Sequence, residues 1–125
     1  MLGLNYGLQN YLKESARTVS DVPDFDDEKT RMLLGAIGLC TESGEIMDVF
    51  KKALYHGREL DTVNLKEELG DLLWYLAILM RELNLDLDEV LEINIRKLRL
   101  RYGKKFDASK SLSRDTQRER KVLEN

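Results

Sequence analysis

The sequence predicts an all-α protein, and three observations carry that reading. Leu65, Leu69, Leu72, Leu73, Leu76, Met80 and Leu83 recur at helical spacing along one broad face. Helix breakers are scarce: Pro23 is the only proline in 125 residues. Acidic or amide residues followed three positions later by Glu stand just before periodic runs, as in Asn64 with Glu67 and Asp86 with Glu89, the spacing of a capping box. At 42% hydrophobic and 34% charged, the chain is long enough for one modest core. We read residues 1–125 as a single domain, with a core over about 27–106 and a C-terminal extension over 107–125.

In order, Tyr6, Leu8, Tyr11 and Leu12 predict a first helix over Asn5 to Arg17, and Thr18 to Phe25, with Pro23, reads as a loop. Asp26, Asp27 and Glu28 suit a helix start, where negative charge is favoured, so a second helix is expected from there to Leu54. Tyr55 to Asp61, with Gly57, is a connection. The third helix is expected to start near Asn64, with Asp61 or Thr62 as alternative caps. Beyond its main apolar face it carries a second stripe, Trp74 and Ile78. A helix apolar on both sides is buried on both sides, which predicts a second subunit. The fourth helix opens at Asp86, holds Val90, Leu91, Ile93, Leu98 and Tyr102, and ends near Gly103 as a C-cap. Ser113 to Leu123 predicts a short terminal helix.

The chemistry concentrates between Leu39 and Met80. Glu42 and Glu45 stand three apart inside one apolar run, and Glu68 and Asp71 repeat the arrangement inside a second. Residues three apart share a helix face, and two helices joined by a short connection tend to pack antiparallel, which brings the two carboxylate pairs toward each other. Such a group repels itself unless a cation sits among its members. All-oxygen ligation suits Mg²⁺, or Mn²⁺ in its place. Gly35, Gly38 and Gly44 in the second helix and Gly70 in the third cost up to ~1 kcal/mol each relative to Ala. They signal close approach of backbone, metal or ligand, or else close helix packing alone. On the fourth helix Asn94, Lys97 and Arg101 fall on one face.

Charge is unevenly placed around a net −3. Residues 92–125 hold 11 Lys or Arg against 5 Asp or Glu, a local +6, and residues 1–91 hold 9 against 18, a local −9. A nucleic-acid tail, a phosphate clamp and plain solvated helix surface all fit the basic third, and the negative total disfavours nucleic acid. No apolar run approaches the ~20 residues that span a bilayer, and Met1 to Gln9 lacks a secretory signal. One cysteine, Cys40, rules out an internal disulfide and fits a reducing compartment, so a cytoplasmic location is expected. One histidine, His56, cannot supply the paired Glu-x-x-His of a di-iron bundle. Neither a Ser-His or Cys-His pair nor a P-loop is evident.

Glu42-Ser43-Gly44-Glu45 followed by Glu68-Leu69-Gly70-Asp71 resembles the E-x-x-E…E-x-x-D signature of the MazG-like all-α nucleoside triphosphate pyrophosphohydrolases, a superfamily with the dimeric dUTPases and the dCTP pyrophosphatases. The likeness extends from Lys66 to Leu73, to Asn94, Lys97 and Arg101-Tyr102, and to Ser113-Arg114-Asp115 with Glu119-Arg120, similar to the tail of small, often phage-encoded members. It implies a four-helix-bundle-like subunit that assembles as a homodimer or homotetramer, in a host cytoplasm if phage-encoded. It implies Mg²⁺-dependent hydrolysis of an NTP or dNTP to the monophosphate and pyrophosphate. Glu42, Glu45, Glu68 and Asp71 would be metal ligands, with Glu42 also taking the proton of the attacking water. Lys97 and Arg101 would hold the outer phosphates and Asn94 the sugar or phosphate. Lys51 and Lys52 are further phosphate candidates, and Tyr75 matches a base-contacting position. A non-catalytic, regulatory helical dimer that binds metal or nucleotide is the alternative.

Overall fold

Aspartate opens five of the six helices in the computed structural model, which describes residues 7–20 and 27–125. The helices are α1 (Leu8–Ser15), continued by a 3₁₀ turn (Ala16–Thr18), α2 (Glu28–Tyr55), α3 (Thr62–Glu82), α4 (Leu87–Tyr102), α5 (Ala108–Leu112) and α6 (Thr116–Glu124). No strand occurs among the described residues, so the chain is all-α. Each capping carboxylate accepts from backbone N–H groups left unpaired in the first turn. Asp27 takes Lys29 N, Asp86 takes Glu89 N, and Asp107 and Asp115 do the same for α5 and α6.

The cap of α3 corrects the expectation of Asn64. Asp61 accepts from both Val63 N (3.1 Å) and Asn64 N (3.0 Å), so Asn64 lies inside the first turn. A carboxylate is a stronger acceptor than an amide, and from the connection it reaches two donors at once. α1 starts at Leu8, and the expected residues Asn5 and Tyr6 lie outside the described set, as does the loop around Pro23. The terminal helix begins at Thr116 rather than Ser113, and α5 is an element that the sequence reading does not contain. Asn84 (φ 50°) and Gly103 (φ 73°) follow the ends of α3 and α4 in the left-handed region, which suits those two residue types.

The chain divides into two compact units, Met1–Asn84 and Leu85–Asn125. In the first, α2 and α3 pack antiparallel along most of their lengths. The register is visible in what meets what. Arg31 pairs with Glu82 at 2.8 Å, Gly35 faces Leu79, Gly38 faces Tyr75, and Glu42 faces Glu68 and Asp71. A Cβ on Gly35 would stand 2.8 Å from Leu79 Cγ, and one on Gly38 would overlap the Tyr75 ring. These two glycines therefore serve helix packing. A Cβ on Gly44 or Gly70 would meet nothing within 4 Å, so neither serves packing against the described residues.

α1 lies on the other side of α3. Trp74 Nε1 donates to Thr18 Oγ1 (2.7 Å), and Arg81 Nη1 donates to Leu12 O (2.7 Å) and Ser15 Oγ (2.8 Å). Ile78, one turn from each, is 2% exposed; truncating such a side chain to Ala costs ~2–5 kcal/mol. The stripe that predicted a partner subunit is thus met by the chain's own first helix. Among the described residues, α2 leaves Leu33, Ile37, Met47 and Leu54 each more than half exposed. Their spacing puts them on one stripe, opposite the side that carries Gly38 and Glu42.

In the second unit α5 and α6 both pack on α4. Glu119 of α6 is 4% exposed and accepts from two arginines: Arg101 through Nε (2.7 Å) and Nη2 (2.6 Å), and Arg114 through Nη2 (2.7 Å). No helix among the described residues is long and apolar enough to cross a membrane.

Candidate metal centre

α2 and α3 bring three of the four predicted acids together. One carboxylate oxygen each from Glu42, Glu68 and Asp71 lie within 4.8 Å of one another, with the two glutamates half-buried and Asp71 exposed. The antiparallel register does this: Gly38 and Tyr75 close the seam one turn from Glu42 and Asp71 and hold the backbones near. Glu45 is not part of the triplet and is exposed, although its charge still reaches Glu42.

Electrostatics in the triplet run against ionisation. The Glu42 carboxyl is pushed above the ordinary carboxylate range, first by burial and then by a hydrogen bond shared with Glu68 and the charges of Asp71, Glu68 and Glu45. Carboxyl groups crowded in this way mark where a cation would relieve the repulsion. The donor set, all carboxylate oxygen, fits a hard divalent ion such as Mg²⁺ or Mn²⁺.

Two groups on the α1–α3 seam escaped the sequence reading. Tyr11 of α1 hydrogen-bonds Gly70 O at 3.5 Å, and its phenol is pushed up by burial and by the Asp71 charge. Arg81 is pushed down by burial, with Glu82 and Tyr11 opposing. Both owe their place to the docking of α1, a contact between distant segments that no local spacing announces.

The substrate candidates fall in both units. Tyr75 packs its ring on Gly38 and stands edge-on to Trp74, centroids 5.0 Å apart. Lys51 and Lys52 both bind Asp48, at 2.9 and 2.6 Å, and hold its carboxyl down at about 2, Lys52 contributing most. That pairing was legible, since Asp48 stands three and four residues before the lysines. Asn94 is exposed and Lys97 half-buried on α4. Arg101, on the same helix, is held by Glu119, and this partner raises its guanidinium further above its ordinary value.

A family model described as the MazG nucleotide pyrophosphohydrolase domain matches residues 33–106. The chain is also 39% identical over 72 residues to the Gene 37 protein of Mycobacterium phage L5, an alignment covering 52% of this chain and 60% of that protein. The chain thus spans less than two thirds of that relative's length. No solved structure matches the chain significantly.

Proposed function

The chain belongs to the MazG nucleotide pyrophosphohydrolase family, and from that premise we propose that it hydrolyses a nucleoside triphosphate, NTP or dNTP, to the monophosphate and pyrophosphate. The observation that carries the reading is the triplet Glu42, Glu68 and Asp71, with oxygens within 4.8 Å. These three, with Glu45 beside them, would hold Mg²⁺ or Mn²⁺. The bound ion supplies charge neutralisation for the phosphates and a more acidic water.

The remaining work belongs to side chains. Glu42, half-buried in the triplet, accepts the proton of the attacking water. Lys97 holds the outer phosphates. Arg101 adds charge through a guanidinium that Glu119 already orients. Asn94 bonds the sugar or a phosphate, Tyr75 contacts the base from the α2–α3 seam, and Lys51 and Lys52 extend the positive field.

Hydrolysis in oxygen-18 water with Mg²⁺ should label the monophosphate and leave pyrophosphate unlabelled. Label in pyrophosphate would move the attack to the β-phosphorus and overturn these roles, and binding without turnover of any nucleotide would favour a regulatory binder.

The exposed stripe of Leu33, Ile37, Met47 and Leu54 supports assembly of a four-helix-bundle-like subunit into a homodimer or homotetramer through helix packing. A 14.5 kDa species by light scattering at micromolar concentration would count against it.

A further inference from the structure

We infer that the C-terminal unit carries a second anion site, specific for phosphate-class oxyanions, in a cavity of about 220 Å³ lined by α4, α6 and the segment between them. Its lining shares Arg101 with the phosphate role proposed above, while Lys110, Arg114 and Arg118 have no part in that reading. Four cationic side chains line the cavity, Arg101, Lys110, Arg114 and Arg118, against two carboxylates, Asp115 and Glu119, an excess of +2.

Both carboxylates are already committed. Glu119 is buried and takes Arg101 and Arg114 together. Asp115 caps α6 by accepting from Arg118 N at 3.0 Å. Among the described residues, no carboxylate lies within ion-pair distance of the Lys110 or Arg118 side chain. Arg114 is partly exposed and bonds Glu119 through Nη2, with Nε at a long 3.5 Å. Its remaining donors are fixed in direction by that bond, which lowers the entropy lost on binding an anion.

The lining also says what the ligand lacks. Leu100 is its one apolar residue and no aromatic ring takes part, so the lining offers no apolar cleft for a base or sugar. Bidentate guanidinium groups match tetrahedral oxyanions. The ligand is therefore an inorganic phosphate or pyrophosphate, or the phosphate end of a larger molecule, read only as phosphate.

The test uses the full chain with Glu68→Gln and Asp71→Asn, free of divalent metal, so that no cation bridges a phosphate to the acidic triplet. Inorganic pyrophosphate titrated calorimetrically should fill one site per chain, weaken with added salt, and bind at least about tenfold more weakly after Lys110→Ala with Arg118→Ala, since two charge-assisted contacts are lost. Both side chains are exposed, so these variants should fold, as circular dichroism would verify. Absence of saturable binding, or binding indifferent to both substitutions, would overturn the site. A nucleoside triphosphate of equal affinity would support phosphate-only reading. One more than about tenfold tighter, or a short single-stranded DNA that displaces pyrophosphate at lower concentration, would overturn it in favour of a nucleoside or nucleic-acid site.

Discussion

The two units treat buried and half-buried carboxylates in opposite ways. In the α2–α3 pair, Glu42 meets Glu68 and Asp71, no cationic side chain among the described residues joins them, and its carboxyl is pushed up. In the C-terminal unit, Glu119 meets Arg101 and Arg114, and its carboxyl is held down at about 2, the hydrogen bond from Arg101 being the larger cause. The same functional group is frustrated in one place and satisfied in the other. A carboxylate that already has its arginines is structural. Where three carboxylates crowd together, a positive charge from outside would relieve their repulsion.

The strongest way to break this contrast is to remove one charge from each cluster. Asp71→Asn should cut turnover by about a hundredfold or more, read as pyrophosphate release with Mg²⁺. Its melting temperature without metal should stay level or rise, because a repulsion is relieved. Near-normal turnover would remove the metal-centre reading.

Glu119→Gln should do the reverse to stability. Two arginines lose their shared charge, and the melting temperature should fall by several degrees in thermal unfolding. The pH slopes differ in sign as well. Glu119 binds its proton less tightly folded than unfolded, so its contribution is full above about 4.5 and is lost as pH falls toward about 2. Glu42 binds its proton more tightly when folded, so its contribution falls as pH rises above 4.5. Wild type and Glu119→Gln compared between pH 2 and 5 should converge at the acid end; parallel curves would contradict the pairing.

The smallest effect sharpens the contrast. Millimolar Mg²⁺ should raise the melting temperature of the wild type by a few degrees through binding to the folded state and should leave Asp71→Asn unmoved. An equal rise in both would place the ion elsewhere.

Much of this was legible in the residues, for physical reasons. The acid pairs, the α3 register, the Asp86 cap and the Gly103 stop depend on neighbours within four positions, where spacing alone determines geometry. The choice of Asp61 over Asn64 was open because both stand near the same unpaired N–H groups. α5 has five residues, too few for a period to show. Gly38 declared close packing without saying that Tyr75 fills the space. The partners of Trp74, Arg81 and Glu119 lie 56, 66 to 69, and 5 to 18 residues away, mostly beyond what a local pattern reports. The second apolar stripe of α3 asked for a cover, and only the fold reveals that α1 provides it.

That cover has an optical consequence. Trp74 is the chain's single tryptophan, and its indole N–H rests on Thr18 while its ring stands edge-on to Tyr75. One fluorophore thus touches both seams of α3: the turn after α1 directly, and α2 through the tyrosine seated on Gly38. Undocking of α1 wets the indole and shifts its emission to the red. Opening of the α2–α3 seam instead alters its coupling to Tyr75. The light from a single native residue therefore separates the loosening of the first helix from the opening of the acidic pair, with no label attached.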